Sequence, residues 1–371
     1  MDFYEAVQKY RKSLLIFLAV ITCFGLVMVL SSSYQFSKAM KGSSYYFFNR
    51  QLMFFCAASV ILFVVKKVKS DVWYKYSNVL HFAVVLLIFL TIVPGISHTK
   101  NGASRWLQLF GFSFQPAEFL KYSLIPYGLR FFDEFSMRQP KENMKQFGWI
   151  IAPIVMLVLQ PDFGSLAICS VLLGYIAFIS SFPRKYFVAM SVAGVFTLGA
   201  LAASQPYRLK RLMVFLDPWK DPTNSGFQIT QSLMSFAHGS FFGQGLGNSL
   251  GKLHYLPEAH NDFIFSIIGE ETGFMGILIL VLLFCGLVYS GLRLADHIGK
   301  PFQSKIVSAI TFCIGVQAIL NMGVVLALLP TKGLNLPFIS YGGSSLIANF
   351  FAIGMLLSLS RPIDARKDIY V

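Results

Sequence analysis

The sequence predicts an all-α fold, a polytopic integral membrane protein with about ten transmembrane helices and one long extracytoplasmic loop. Three observations predict it. Only 13% of the 371 residues are charged and 55% are hydrophobic, whereas soluble domains carry about 25% charged residues. Runs of roughly 18 or more largely apolar residues recur along the chain, each long enough to cross about 30 Å of hydrocarbon. Lys and Arg also concentrate in alternate connections between those runs. A β-barrel is excluded, because its segments would be about 10 residues long and would alternate in polarity.

The first span, 14–32, closes on Ser31-Ser32-Ser33-Tyr34, which loosely resembles a signal cleavage site. Its apolar run of about 18 residues exceeds a signal h-region, so an uncleaved helix is expected. Spans 49–66 and 77–95 flank the basic stretch Lys66, Lys67, Lys69 and Lys75. Span 117–133 is apolar except for Glu118 and Lys121 near its start. Span 148–160 is short, and the turn Gln160-Pro161-Asp162-Phe163-Gly164 almost fuses it to 163–181. After 186–203 comes a polar segment, 204–261, and then spans 262–292, 304–329 and 340–360. With no repeat, low-complexity stretch or separate soluble block, residues 1–371 read as one membrane domain.

Orientation follows from the cations. With the N-terminus inside, the inner segments hold 19 Lys and Arg and the outer segments 11. Five of those 11 lie in the 204–261 loop, and long loops weigh little in the positive-inside rule. Both termini are therefore expected in the cytoplasm, with the long loop outside. The net charge of +14 is largely this inner-face excess, which anionic headgroups attract, and it calls for no nucleic acid. The cysteines (Cys23, Cys56, Cys169, Cys285, Cys313) fall inside spans without CxxC spacing, so they read as small buried apolar residues. No pair of histidines has metal-ligand spacing.

The chemistry concentrates at the outer end. Leu256-Pro257-Glu258-Ala259-His260-Asn261-Asp262-Phe263-Ile264-Phe265 marks the passage from polar loop to apolar span, and Asp262 is the last acid before that span. A carboxylate there can meet a water-soluble sugar while its neighbours hold a lipid tail. Glu118 and Lys121 stand at i, i+3, so each can offset part of the other's cost in the membrane, about 2.5–3.5 kcal/mol per charge. They form either a structural pair near the interface or part of a polar cavity. Arg105 beside Trp106 is either an interfacial anchor or positive charge for a pyrophosphate. Arg208, Lys210, Arg211 and Lys220 allow a solvated face or a diphosphate grip. Gly243-Gln244-Gly245-Leu246-Gly247-Asn248-Ser249 lacks Rossmann or Walker spacing and reads as flexible backbone. On a helix, Glu270 lies about 12 Å beyond Asp262 and Glu271 on the opposite side, so neither can pair with it as the two carboxyls of a glycosidase do. That favours deprotonating an incoming hydroxyl over hydrolysis. Finally, Leu329 to Ser345 holds two prolines and three glycines. It cannot be a continuous helix and is expected to wall the same cavity.

Together these segments resemble the SEDS family (shape, elongation, division and sporulation), and within it the FtsW division branch. The motif residues are Leu256-Pro257-Glu258-Ala259-His260-Asn261-Asp262-Phe263-Ile264-Phe265 and Pro337-Phe338-Ile339-Ser340-Tyr341-Gly342-Gly343-Ser344-Ser345, with Thr331-Lys332-Gly333 as the division-type feature. Asn261 stands where the family commonly has Thr; both are small and polar. The resemblance implies a glycosyltransferase that polymerises lipid II on the outer face of the cytoplasmic membrane, with Asp262 as its essential acid. It also implies a class B penicillin-binding protein as transpeptidase partner, among other division proteins. On that reading Asp262 takes the proton from the acceptor hydroxyl. An ordinary aspartate, with a pKa near 3.9, is a weak base that partial desolvation would strengthen. Arg105, Arg208, Arg211, Lys332 and Lys121 face the departing diphosphate. Arg50, Trp106, Glu118, Asp162, Lys220, His260, Ser340, Tyr341 and Ser344 complete the candidate substrate contacts. No cofactor is fixed, and a divalent cation, Mg or Mn, could share the diphosphate work. The rival readings are a lipid II flippase, against which stands the absence of an inverted repeat, and a non-catalytic scaffold.

Overall fold

A computed structural model of the chain describes residues 3–93, 97–100, 103–109, 112–203, 213–222, 224, 226–252, 259–330 and 333–361. Its helices are α1 (Phe3–Lys41), α2 (Tyr46–Val65), α3 (Ser70–Lys75), α4 (Ser77–Leu90), α5 (Ala117–Asp133), α6 (Pro140–Leu159), α7 (Phe163–Ile179), α8 (Arg184–Ala203), α9 (Phe227–Gly239), α10 (Ile264–Asp296), α11 (Pro301–Val325) and α12 (Gly343–Leu359). Each of the ten expected spans is occupied by one of these helices, so the chain is an all-α, multi-pass membrane protein. Among the described residues α1, α2, α10 and α11 are each long and apolar enough to cross a bilayer, and α4, α7 and α12 are shorter apolar helices.

Helix length decides where the site can lie. At 39 residues α1 is about 58 Å long, whereas α5, α7 and α12, with 17 residues each, reach only about 26 Å. The three short helices pack around α11, α5 against α7 and α12, and α2 lies against α12. Their short ends leave a recess that irregular backbone lines. The long helices α1 and α10 lie along one another, and glycines let the bundle close: a Cβ on Gly286 would strike Phe17, one on Gly291 would strike Thr311, and one on Gly354 would strike Val65. The Ser31–Ser33 segment runs on inside α1 as helix, with Ser32 and Ser33 buried.

Two further features lie in the connections between spans. A three-stranded antiparallel sheet, β1 (Ser97–Lys100), β2 (Ala103–Leu109) and β3 (Phe112–Phe114), in order β1-β2-β3, precedes α5. The 204–261 segment contains α9, which packs on the first turns of α10. There α10 breaks at Gly273 (φ 66°), and the turn after α9 repairs the break. Gln244 N and Gly245 N donate to the carbonyls of Glu270 and Glu271, while Phe274 N and Met275 N donate to Ser240 O and Phe241 O. Broken helix at membrane depth needs such internal partners. The glycine-rich stretch 243–249 is thus a built turn rather than the flexible backbone expected. Gly243 (φ 82°) and Gly273 approach so closely that a Cβ on either would meet the other's backbone.

Candidate functional site

The recess is a cavity of about 670 Å³. Its walls come from the ends of α1 and α2 (Lys41, Tyr46, Arg50, Phe54), from the sheet (Arg105, Trp106) and from the start of α5 (Glu118, Lys121). The turn into α7 (Asp162, Ser165), the segment Asn261–Phe263, and the loop of Gly333, Leu334, Asn335 and Tyr341 complete it. Eight sequence-selected residues therefore meet around one space: Asp262, Arg50, Arg105, Trp106, Glu118, Lys121, Asp162 and Tyr341.

Each is held by local structure. Asp262 is half-buried just before α10, its backbone carbonyl accepting from Asn321 Nδ2 at 2.9 Å. Its carboxylate lies against the loop, since a Cβ on Gly333 would come within 2.9 Å of Asp262 Oδ2. A side chain at 333 would have to push that carboxylate aside, and glycine leaves it in place. Asp162 caps α7: Ser165 N and Ser165 Oγ donate to its carboxylate, and Gln115 Nε2 reaches Oδ2 at 3.3 Å. Arg105 is set by β2, and its guanidinium donates to the carbonyls of Gln160 and Pro161. It ties the sheet to the α6–α7 turn as well as facing the cavity. Lys121 Nζ is 2.8 Å from Glu118 Oε2 and also donates to Gln317 Oε1, so the pair is buried and built into the wall. Arg50 lies over the rings of Tyr46 and Phe54 and donates to Tyr46 Oη at 2.9 Å.

Other candidates sit elsewhere. His260 does not line the cavity; its ring packs among Phe36, Phe47 and Tyr341, and its carbonyl accepts from Tyr341 N. Ser340 Oγ accepts from Leu336 N, and Ser344 Oγ accepts from Gln115 N and donates to Ser113 O. Both hydroxyls shape backbone and leave the cavity to their neighbours. Lys220 is exposed in a 3-10 turn, Pro218–Lys220, that contributes nothing to the walls. Arg208, Arg211 and Lys332 lie outside the described residues.

Sequence reasoning missed Lys41, Tyr46, Phe54, Gln115, Ser165 and Gln228 on the wall, whereas Asn335 falls in the Leu329–Ser345 segment expected there. It also missed Gln317 and Asn321, one turn apart on α11 behind it. Two buried amides at i, i+4 in an otherwise apolar span were the available signal. Glu270 and Glu271 are buried but engaged away from the cavity. Glu270 accepts from Ser249 Oγ, Leu250 N and Gly251 N, and Glu271 pairs with Lys252 at 2.9 Å and accepts from Ser31 Oγ. Among the described residues no group of three His, Cys, Asp or Glu side chains converges as a metal cage.

The cavity thus combines one half-buried acid, a second capped acid, cations on two sides and an aromatic rim. The FtsW/RodA/SpoVE family model, described as cell cycle protein, matches residues 11–364. A probable peptidoglycan glycosyltransferase FtsW from Geobacter sulfurreducens is 37% identical over 368 residues, covering 96% of each chain. Its namesake from Saccharophagus degradans is 40% identical over 357 residues, covering 93% of this chain and 91% of that one. In fold, the rod shape determining protein RodA of Thermus thermophilus superposes with a TM-score of 0.68 at 23% identity, covering 94% of this chain and 95% of that one. A chain from the structure described as "Structural coordination of polymerization and crosslinking by a peptidoglycan synthase complex" gives 0.73 at 24% identity, covering 94% and 96%. With a family model spanning nearly the whole sequence and relatives matched end to end, the chain belongs to the FtsW/RodA/SpoVE family of cell cycle proteins.

Proposed function

We propose that this protein is a peptidoglycan glycosyltransferase that polymerises lipid II during cell division, with Asp262 as the general base. The observation that carries the reading is the placement of Asp262 on a cavity whose other walls carry Lys41, Arg50, Arg105 and the Glu118–Lys121 pair. The acid accepts the proton of the acceptor's 4-hydroxyl as that oxygen attacks the donor's anomeric carbon. The α-linked lipid diphosphate leaves from the opposite face, and a β-1,4 bond forms with inversion. Lys41, Arg50 and the remaining N–H groups of Arg105 face the charge that develops on the diphosphate. A divalent cation such as Mg or Mn would be held by Asp262 or Asp162 together with phosphate oxygens, as Mg usually is, and would supply further charge neutralisation.

The protein sits in the cytoplasmic membrane with both termini in the cytoplasm and the cavity at the outer leaflet, concentrated at the division site. Cations support that orientation: Arg184, Lys185, Lys300, Lys305 and Arg361 lie at the helix ends opposite Asp262. A class B penicillin-binding protein supplies transpeptidation, with other divisome membrane proteins bound alongside. The test is chain growth from lipid II by purified protein and that partner in detergent, where no membrane sidedness exists. Polymer that disappears with Asp262→Ala supports the enzyme. Translocation of lipid II in vesicles without polymer would replace it with the flippase.

A further inference from the structure

We propose that Asn321 is a positioning residue for Asp262. The inference rests on the reading of Asp262 as the base and adds what aims it. Asn321 is 1% exposed on α11, inside an apolar helix where a polar side chain is costly unless it is used. Its amide nitrogen has two N–H groups, and both are spent on backbone from different parts of the chain. One reaches the carbonyl of Asp262 at 2.9 Å, the other the carbonyl of Leu334. A single side chain thus fixes the distance between the acid and the loop beside it.

The loop is itself constrained. Gln317, one turn away on the same face of α11, donates to Asn335 O at 3.0 Å and accepts from Lys121. Leu334 packs on Gly164, where a Cβ would collide with it at 2.7 Å. A Cβ on Gly333 would stand 2.9 Å from Asp262 Oδ2, so the loop backbone runs close by the acid. Asn321 therefore joins the acid to a loop that is anchored to α7, α11 and the charge pair. Meanwhile Asn321 Oδ1 is buried with no hydrogen-bond partner among the described residues. That orphaned acceptor costs stability, and a residue kept at such a cost is expected to do something an apolar side chain of equal size cannot. Holding Asp262 is that task.

The experiment compares Asn321→Leu, Asn321→Ser and Asp262→Ala with the parent in lipid II polymerisation with the transpeptidase partner. Unfolding temperature is measured on each purified protein. Leu removes both donors at similar volume, while Ser keeps one shorter donor and is the milder variant should Leu not fold. The expected result is a kcat about 100-fold lower for Asn321→Leu, the scale of a 1 Å misplacement. A smaller loss is expected for Asn321→Ser, with KM for lipid II unchanged in both. Parental kcat in a folded Asn321 variant overturns the inference. So does a loss of activity that follows unfolding temperature or KM rather than kcat. Polymerisation by Asp262→Ala overturns the reading of Asp262 itself and the inference with it, whereas an inactive Asp262→Ala beside a fully active Asn321→Ser and Asn321→Leu overturns the inference alone.

Discussion

Replacing Lys121 by Met separates two roles that the Glu118–Lys121 pair could have. Lys121 is 4% exposed and Glu118 12%, with 2.8 Å between the charged atoms. At an effective dielectric of about 20 their attraction is about 6 kcal/mol, against which both charges have already lost hydration. Removing one partner leaves the other buried and uncompensated, which costs about 3–5 kcal/mol. The lower end applies here, because Glu118 borders the cavity and can draw on water there. The unfolding temperature of Lys121→Met should fall by several degrees. The double variant Glu118→Gln/Lys121→Met removes both charges at similar volume, and its stability should return to within about 1 kcal/mol of the parent. On the proposed function, chain growth from lipid II should be lost in Lys121→Met and stay lost in the double variant, because the cavity wall then lacks the Lys121 charge. The assay pairs thermal unfolding in detergent with gel-resolved polymer from lipid II. A Lys121→Met protein that melts with the parent would refute the buried-pair energetics. A double variant that regains polymerisation along with stability would refute a role for this charge in the cavity, leaving it a structural pair.

Gly273→Ala places a Cβ 2.3 Å from Gly243 N at positive φ, so it should destabilise by about 2 kcal/mol or more; Gly174→Ala, with nothing within 4 Å, is the control expected to leave the unfolding temperature near the parent's. Lys252→Met strands the buried Glu271 and should lower stability by about 3–5 kcal/mol, with Lys252→Met/Glu271→Gln recovering most of it in the same melt. Arg105→Lys keeps the charge but loses the fork that spans Gln160 O and Pro161 O. It should cost about 1.5–3 kcal/mol and slow polymerisation, and unchanged protease susceptibility at the 160–163 turn would count against that tie.

What the sequence made legible is what the bilayer enforces. Apolar runs had to be helices because lipid offers no partner for backbone N–H and C=O, so spans such as 14–32 and 186–203 fall on α1 and α8. The same logic marked Leu329–Ser345 as irregular, and its Gly333–Asn335 portion borders the cavity. Outside the hydrocarbon the constraint lapses, and there the reading thinned. The β1–β3 sheet and α9 depend on tertiary partners that no periodicity announces. Beyond residue 32 α1 continues with Tyr34 and Phe36 packed on Tyr45 and Phe47 at the start of α2, contacts that hydropathy does not announce. Charged residues exposed the same limit. Arg105 and Lys121 were legible as cations at the right depth, and the Glu118–Lys121 pair was legible from its i, i+3 spacing, but the engagement of Arg105 with Gln160 and Pro161 and of Lys121 with Gln317 follows only from the folded chain. A cation already shared between wall and cavity can hold a diphosphate only with its remaining N–H groups. On the proposed function Lys41 and Arg50, on the same cavity at the α1–α2 end, would share that work, and sequence reasoning overlooked Lys41 as a wall residue because it lies beyond the expected end of a helix that in fact continues to it.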